Sequence, residues 1–114
     1  MMAPKWYEYA LKCMAPDEHL RKNYGGRLDG DYGYLMISDK KLLFVKEEGF
    51  LRKKYSAPFS LAYDKVQDVR PLDSYHLLIS EKTGKSHKFE CDVNVSRVAK
   101  AIHEEMNTRV RVPM

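Results

Sequence analysis

Two apolar segments, Tyr32 to Ile37 and Lys41 to Lys46, stand three residues apart, and that spacing constrains the fold more than any other feature of the chain. Both are rich in residues that suit a pleated surface. Between them Ser38-Asp39-Lys40 leaves room only for a tight reversal, so the segments predict an antiparallel hairpin.

The flanking residues extend this reading in both directions. Pro4 suits a first helical turn, and Trp6, Ala10 and Cys13, widened by Tyr7, Leu11 and Met14, recur at spacings of three and four, predicting a helix over 4–14. Ala15-Pro16-Asp17 breaks it, because proline disfavours helical geometry before it and cannot donate a helical hydrogen bond. Leu20 to Tyr24 reads as a first strand, followed by a turn-rich loop from Gly25 to Asp31. Beyond the hairpin, Leu51, Tyr55, Phe59 and Leu61 share one parity and predict a half-buried strand that Pro58 confines to an edge or bends. Ala62 to Lys65 reads as a turn and Val66 to Val69 as a short strand. Tyr75 to Ser80 and His87 to Asp92 form a second hairpin around a glycine-bearing turn. Asn94 caps a last helix with Val95, Val98, Ala99, Ile102 and Met106 on its dry stripe, ending near Asn107.

A continuous run of strands before one terminal helix argues for an α+β, mainly β, fold rather than a parallel α/β sheet. At 114 residues one core is expected. The economical architecture is a curled antiparallel sheet or barrel of about seven strands closed by the C-terminal helix. Residues 1–15 then form an extra helical extension and residues 16–110 the domain.

The stretch Gly33-Tyr34-Leu35-Met36-Ile37-Ser38-Asp39-Lys40-Lys41-Leu42-Leu43-Phe44 resembles the pleckstrin-homology-like superfamily, in its GRAM and bacterial-type PH branch. The shared pattern is glycine, an apolar strand, a Ser/Thr-Asp turn, a basic residue and Leu-x-Phe, with Lys41 where arginine is commoner. Pro16-Asp17-Glu18, Leu61, Val66, Val69 and Phe89 follow the pattern in order, so the resemblance covers roughly residues 16–107. It implies a PH-like fold and a binding module rather than an enzyme. Because one fold hosts many functions, the site has to be argued separately.

In PH domains the resemblance places a headgroup cage on the first strand, the loop after it and the start of the second strand. Here that region offers Arg21, Lys22 and Arg27, but Asp29 and Asp31 share the loop and Tyr32-Gly33-Tyr34 brings no cation. A second anionic-ligand or membrane patch is the segment Phe50-Leu51-Arg52-Lys53-Lys54. The competing assignment of the same segment turns Leu51 into the core and leaves Arg52 and Lys54 on a wet strand face, with Glu47 and Glu48 cancelling part of the field. Trp6, Tyr7 and Leu11 give the first helix more apolar area than a narrow seam needs, which makes it an interaction helix or a helix packed on the sheet.

The rest of the chemistry points away from catalysis. Thr83-Gly84-Lys85-Ser86 lacks the earlier glycine and following helix of a phosphate loop. His19, His76, His87 and His103 have no metal-ligand spacing, so neither metal nor cofactor is expected. Asp64, Asp68, Asp73 and Glu81 read as solvated carboxylates. Cys13 and Cys91 fit neither a disulfide framework nor a zinc site and are expected as reduced thiols in the cytoplasm. No secretory signal or membrane-spanning run is recognisable, so membrane contact would be peripheral. The formal charge of +4 permits an anionic partner without requiring one. Tyr24, Tyr32 and Tyr34 among cations leave single-stranded nucleic acid as a minor alternative. The leading expectation is a module that engages a protein partner or its own copies, through an open sheet edge or the first helix, with an anionic membrane surface as the alternative.

Overall fold

The structure, a computed structural model, describes residues 3–110, with side chains described as far as residue 107; Met1 and Met2 of the expected N-terminal extension lie outside it. Helix α1 (Lys5–Lys12) leads to seven strands: β1 (Leu20–Leu28), β2 (Asp31–Ser38), β3 (Lys41–Glu48), β4 (Lys54–Ala62), β5 (Val66–Pro71), β6 (His76–Glu81) and β7 (Ser86–Cys91). A single 3-10 turn, Tyr63–Lys65, joins β4 to β5, and helix α2 (Val95–Val110) follows β7. All pairings are antiparallel, in the order β4-β3-β2-β1-β7-β6-β5. The ends of that order are not paired with each other, so the sheet curls without closing.

The expected central hairpin is β2 and β3, with Met36 opposite Leu43 and Leu35 opposite Phe44. Its apolar runs do not alternate with polar residues because both faces are covered. Leu35, Ile37, Leu42 and Phe44 point into the main core, where Phe89, Leu77, Ile79 and the α2 residues Val95, Val98 and Ile102 meet them. Met36, Leu43 and Val45 point the other way, into a second core under α1 with Ala10, Trp6 and Tyr9. The first helix therefore packs on the outer face of the sheet of its own chain.

The Ser38-Asp39-Lys40 turn is held by a side-chain network. Ser38 Oγ accepts hydrogen bonds from the amides of Lys40 and Lys41, both at 3.0 Å, and donates to Glu18 Oε2 at 2.5 Å. The Glu18 side chain is only 2% exposed, and the Lys41 ammonium lies 3.4 Å from its other oxygen while donating to the Cys13 carbonyl at 3.2 Å. A buried carboxylate is tolerated when it is hydrogen-bonded and paired in this way. Tyr63 donates to the Ser38 carbonyl at 2.6 Å, tying the turn to the 3-10 segment.

Three sequence expectations need correction. The turn-rich loop from Gly25 to Asp31 is mostly strand: β1 runs on through Gly25, Gly26 and Arg27, and only Asp29 and Gly30 turn. Gly26 is needed for closeness rather than for bending, since a Cβ there would fall inside the Glu90 carbonyl oxygen of β7. The strand expected from Leu51 begins only at Lys54, and its parity does not keep one face. A bulge opposite Val45, at Ala57 and Pro58, inserts an extra residue, so Tyr55 packs in the outer core while Phe59 and Leu61 pack in the inner one. Finally, α2 does not stop near Asn107 but runs to Val110, its start capped as expected by Asn94 Oδ1, which accepts from the Ser96 amide at 2.9 Å.

Candidate functional site

The β3–β4 connection, residues 49–53, carries the most exposed large apolar side chains of the described residues: Phe50 is 92% and Leu51 90% exposed. This corrects the assignment of Leu51 to the core. Gly49, at φ +103°, turns the chain outward, in a space that the Arg52 carbonyl leaves no room for a Cβ to enter, so the two residues after it project from the sheet.

Cations surround this tip. Lys53 lies 3.5 Å from Glu47, and Lys46 lies 3.6 Å from Asp31 and 3.8 Å from Glu48, so the acidic residues near the loop are occupied by those two lysines. Among the described residues, Arg52 and Lys54 form no ion pair. Helix α1 adds two lysines against one acid: Lys5, Lys12 and Glu8 line a shallow cleft of about 340 Å³ with Lys53, Tyr9 and Tyr55. Burial, with Glu47 nearby, pushes the Tyr55 phenol on its wall above its ordinary pKa. Lys5 and Lys12 were not singled out from the sequence, and the signal that could have found them is the continuous apolar run of β2 and β3, which demands a cover on its second face.

The other sequence candidates do not form one patch. Arg21 lies 3.9 Å from Asp39 and 3.6 Å from Glu105, so its charge is shared out within the fold. Arg27 is exposed on β1 opposite Tyr32. Lys22 faces a different cleft, beside Arg97 and Lys100 of α2. In the first helix Trp6 and Tyr7 are half-buried, and Leu11 stays 46% exposed.

Both open sheet edges oppose strand addition. Pro58 stands in the middle of β4, and β5 has a bulge at Gln67 and ends in Arg70 and Pro71.

One histidine looks more elaborate than the rest. The His87 ring lies between two carboxylates, Nδ1 at 2.8 Å from Asp29 and Nε2 at 2.6 Å from Glu81, with the Phe59 ring edge-on at 4.7 Å. Glu81 is therefore a paired carboxylate and not a solvated one. The arrangement ties the β1–β2 turn to the β6–β7 hairpin, because Asp29 also accepts from the Lys88 amide at 2.9 Å. Each ring nitrogen thus has a carboxylate partner. Among the described residues no group of three or more His, Cys, Asp or Glu side chains is arranged to hold a metal ion, and no helix is long and apolar enough to cross a membrane.

Comparison with solved structures adds the fold. The chain is similar to the crystal structure of an N-terminally truncated linker-DH/PH fragment of p115-RhoGEF, with a TM-score of 0.67 at 11% identity over 98% of this chain. The fold is pleckstrin-homology-like. The chain spans 36% of that fragment. It is also similar to the C-terminal domain of an unknown protein from Leishmania infantum, with a TM-score of 0.62 at 16% identity, covering 89% of this chain and 98% of that one. No family model and no curated protein matches the sequence. In this PH-like frame the exposed tip is the β3–β4 loop, and α1 is an addition that covers the outer face of β2 and β3.

Proposed function

We propose that this PH-like chain is a non-enzymatic interaction module that rests on an anionic membrane surface through its β3–β4 tip. The observation that carries this reading is the exposure of Phe50 and Leu51 at a loop apex bordered by Arg52 and Lys54. Moving two such side chains out of water yields about 4 kcal/mol in total. Each cation held near an anionic leaflet adds about 1 kcal/mol, and Lys5 and Lys12 widen the charged surround. The sum corresponds to reversible, salt-sensitive attachment at the cytoplasmic side. Headgroup chemistry plays little part in it, because the β1–β2 turn is Asp29-Gly30 and the strand after it opens on Asp31. The Gly33 to Phe44 pattern puts the chain, in the same reading, with the GRAM and bacterial-type branch of the superfamily.

Co-sedimentation with vesicles tests it. The protein should pellet with vesicles of phosphatidylcholine and phosphatidylserine and not with phosphatidylcholine alone. Phe50→Ser combined with Leu51→Ser should abolish pelleting while leaving the fold intact, and Arg52→Ala with Lys54→Ala should weaken it. Unchanged pelleting of the Phe50/Leu51 variant would remove this surface from consideration. Engagement of a protein partner rests on a different surface.

A further inference from the structure

Strand β1 has one incompletely used edge. Along its whole length it pairs with β2, but with β7 it pairs only at Gly26, Arg27 and Leu28. Among the described residues, the second edge from Leu20 to Gly25 has no neighbouring strand; Cys91 Sγ donates to the Gly25 carbonyl at 3.4 Å at one end, and the Arg21 side chain reaches Glu105 of α2 at 3.6 Å at the other. Every second residue of such a segment directs its amide and carbonyl outward. Helix α2 passes this gap without closing it, leaving a cleft of about 350 Å³ between β1, the β7–α2 connection and the first three turns of α2.

The cleft is charged in one sense. Lys22 from β1 and Arg97 and Lys100 from α2 line it, against a single carboxylate, Glu104. Among the described residues, the side chains of Lys22, Arg97 and Lys100 form no ion pair or hydrogen bond. That separates them from Arg21, Lys40, Lys41, Lys46 and Lys53, each of which has a carboxylate within ion-pair distance. The walls are not wholly polar: Tyr24 and Val93 give the cleft an apolar side, and Val93 is one of the larger exposed apolar residues. Unlike β4 and β5, this edge carries neither proline nor a bulge between Lys22 and Gly25.

We infer that the gap between β1 and α2 is a docking groove for a short, extended, acidic segment of a partner protein. The segment adds to the free edge of β1 with its backbone, places alternate carboxylates on Lys22, Arg97 and Lys100, and lays its intervening apolar side chains against Tyr24 and Val93. Affinity from so short a strand is modest and charge-dependent. This surface is separate from the β3–β4 tip and does not depend on membrane binding.

The test uses an amide-capped Val-Glu-Val-Glu-Val-Glu-Val peptide and its lysine counterpart, titrated into isotope-labelled protein by NMR. The acidic peptide should shift the amides of Lys22 to Gly25 and of the first turns of α2, and slow hydrogen exchange at alternate β1 amides. Lys22→Glu with Arg97→Glu should weaken binding by about tenfold or more with a well-dispersed spectrum retained. The Phe50→Ser/Leu51→Ser variant should bind the peptide normally, so failure of the membrane reading leaves this one standing. Equal binding of the lysine peptide, shifts confined to α2 without protection of β1, or no shifts at millimolar peptide would each overturn the groove.

Discussion

The Trp6 indole lies flat on the Tyr34 ring, with centroids 3.9 Å apart and planes 11° apart. Tyr7 meets the same indole edge-on at 6.0 Å and Tyr32 meets Tyr34 at 5.9 Å, so four aromatic rings clamp α1 to β2. Burial, reinforced by the neighbouring Tyr32 hydroxyl, holds the Tyr34 phenol far above its ordinary pKa.

Trp6→Ala should therefore cost about 2 kcal/mol in urea unfolding, below a fully buried tryptophan because the indole is only half covered. The variant should also bind a hydrophobic dye, since Met36, Leu43 and Val45 lose their cover. A loss under about 0.5 kcal/mol would mean that the stack does not hold the helix.

The Ser38 hydroxyl serves two backbone amides and the buried Glu18 at once. Ser38→Ala should cost about 2 to 3 kcal/mol, most of it from leaving buried polar groups short of partners. In a double-mutant cycle, Glu18→Gln should cost clearly less in the Ser38→Ala background than alone. Additive losses would mean that the two side chains act separately.

Glycines here divide into two kinds that thermal melts should separate. A Cβ on Gly33 would overlap the Val45 carbonyl oxygen of the neighbouring strand, so Gly33→Ala should lower stability by about 3 kcal/mol or prevent folding. At Gly30 there is open space and only a positive φ of 91° to accommodate, so Gly30→Ala should cost about 1 kcal/mol.

The Asp73 carboxylate accepts from the Tyr75 amide at 2.8 Å and from the amide and ring of His76 at 2.9 and 2.8 Å. The Tyr75 amide first, then the His76 ring, hold its pKa below the usual 3.8. A depressed folded-state pKa stabilises fully above the unfolded value and is lost as pH falls through the folded one. Asp73→Asn should thus lower the melting temperature at neutral pH, by an amount that shrinks as the pH falls through the depressed folded-state pKa of the wild-type carboxyl. A deficit that persists in acid would assign the effect to shape rather than charge.

The sequence by itself determined the elements whose signals are local. The β2–β3 hairpin, the β6–β7 hairpin, the capped last helix and its dry stripe all follow from periodicity and turn chemistry within a few residues. Tertiary structure decided what needs distant partners. Gly26 looks like a turn residue until the Glu90 carbonyl stands against it, and Tyr55 shares a parity with Phe59 until the bulge at Pro58 intervenes. The fitting of α1 to the outer sheet face, and the meeting of Lys22 with Arg97 and Lys100 in one cleft, depend on how the sheet curls. A pattern along the chain fixes which side of a strand is apolar, while the register between strands and the gap between β1 and β7 fix what that side meets.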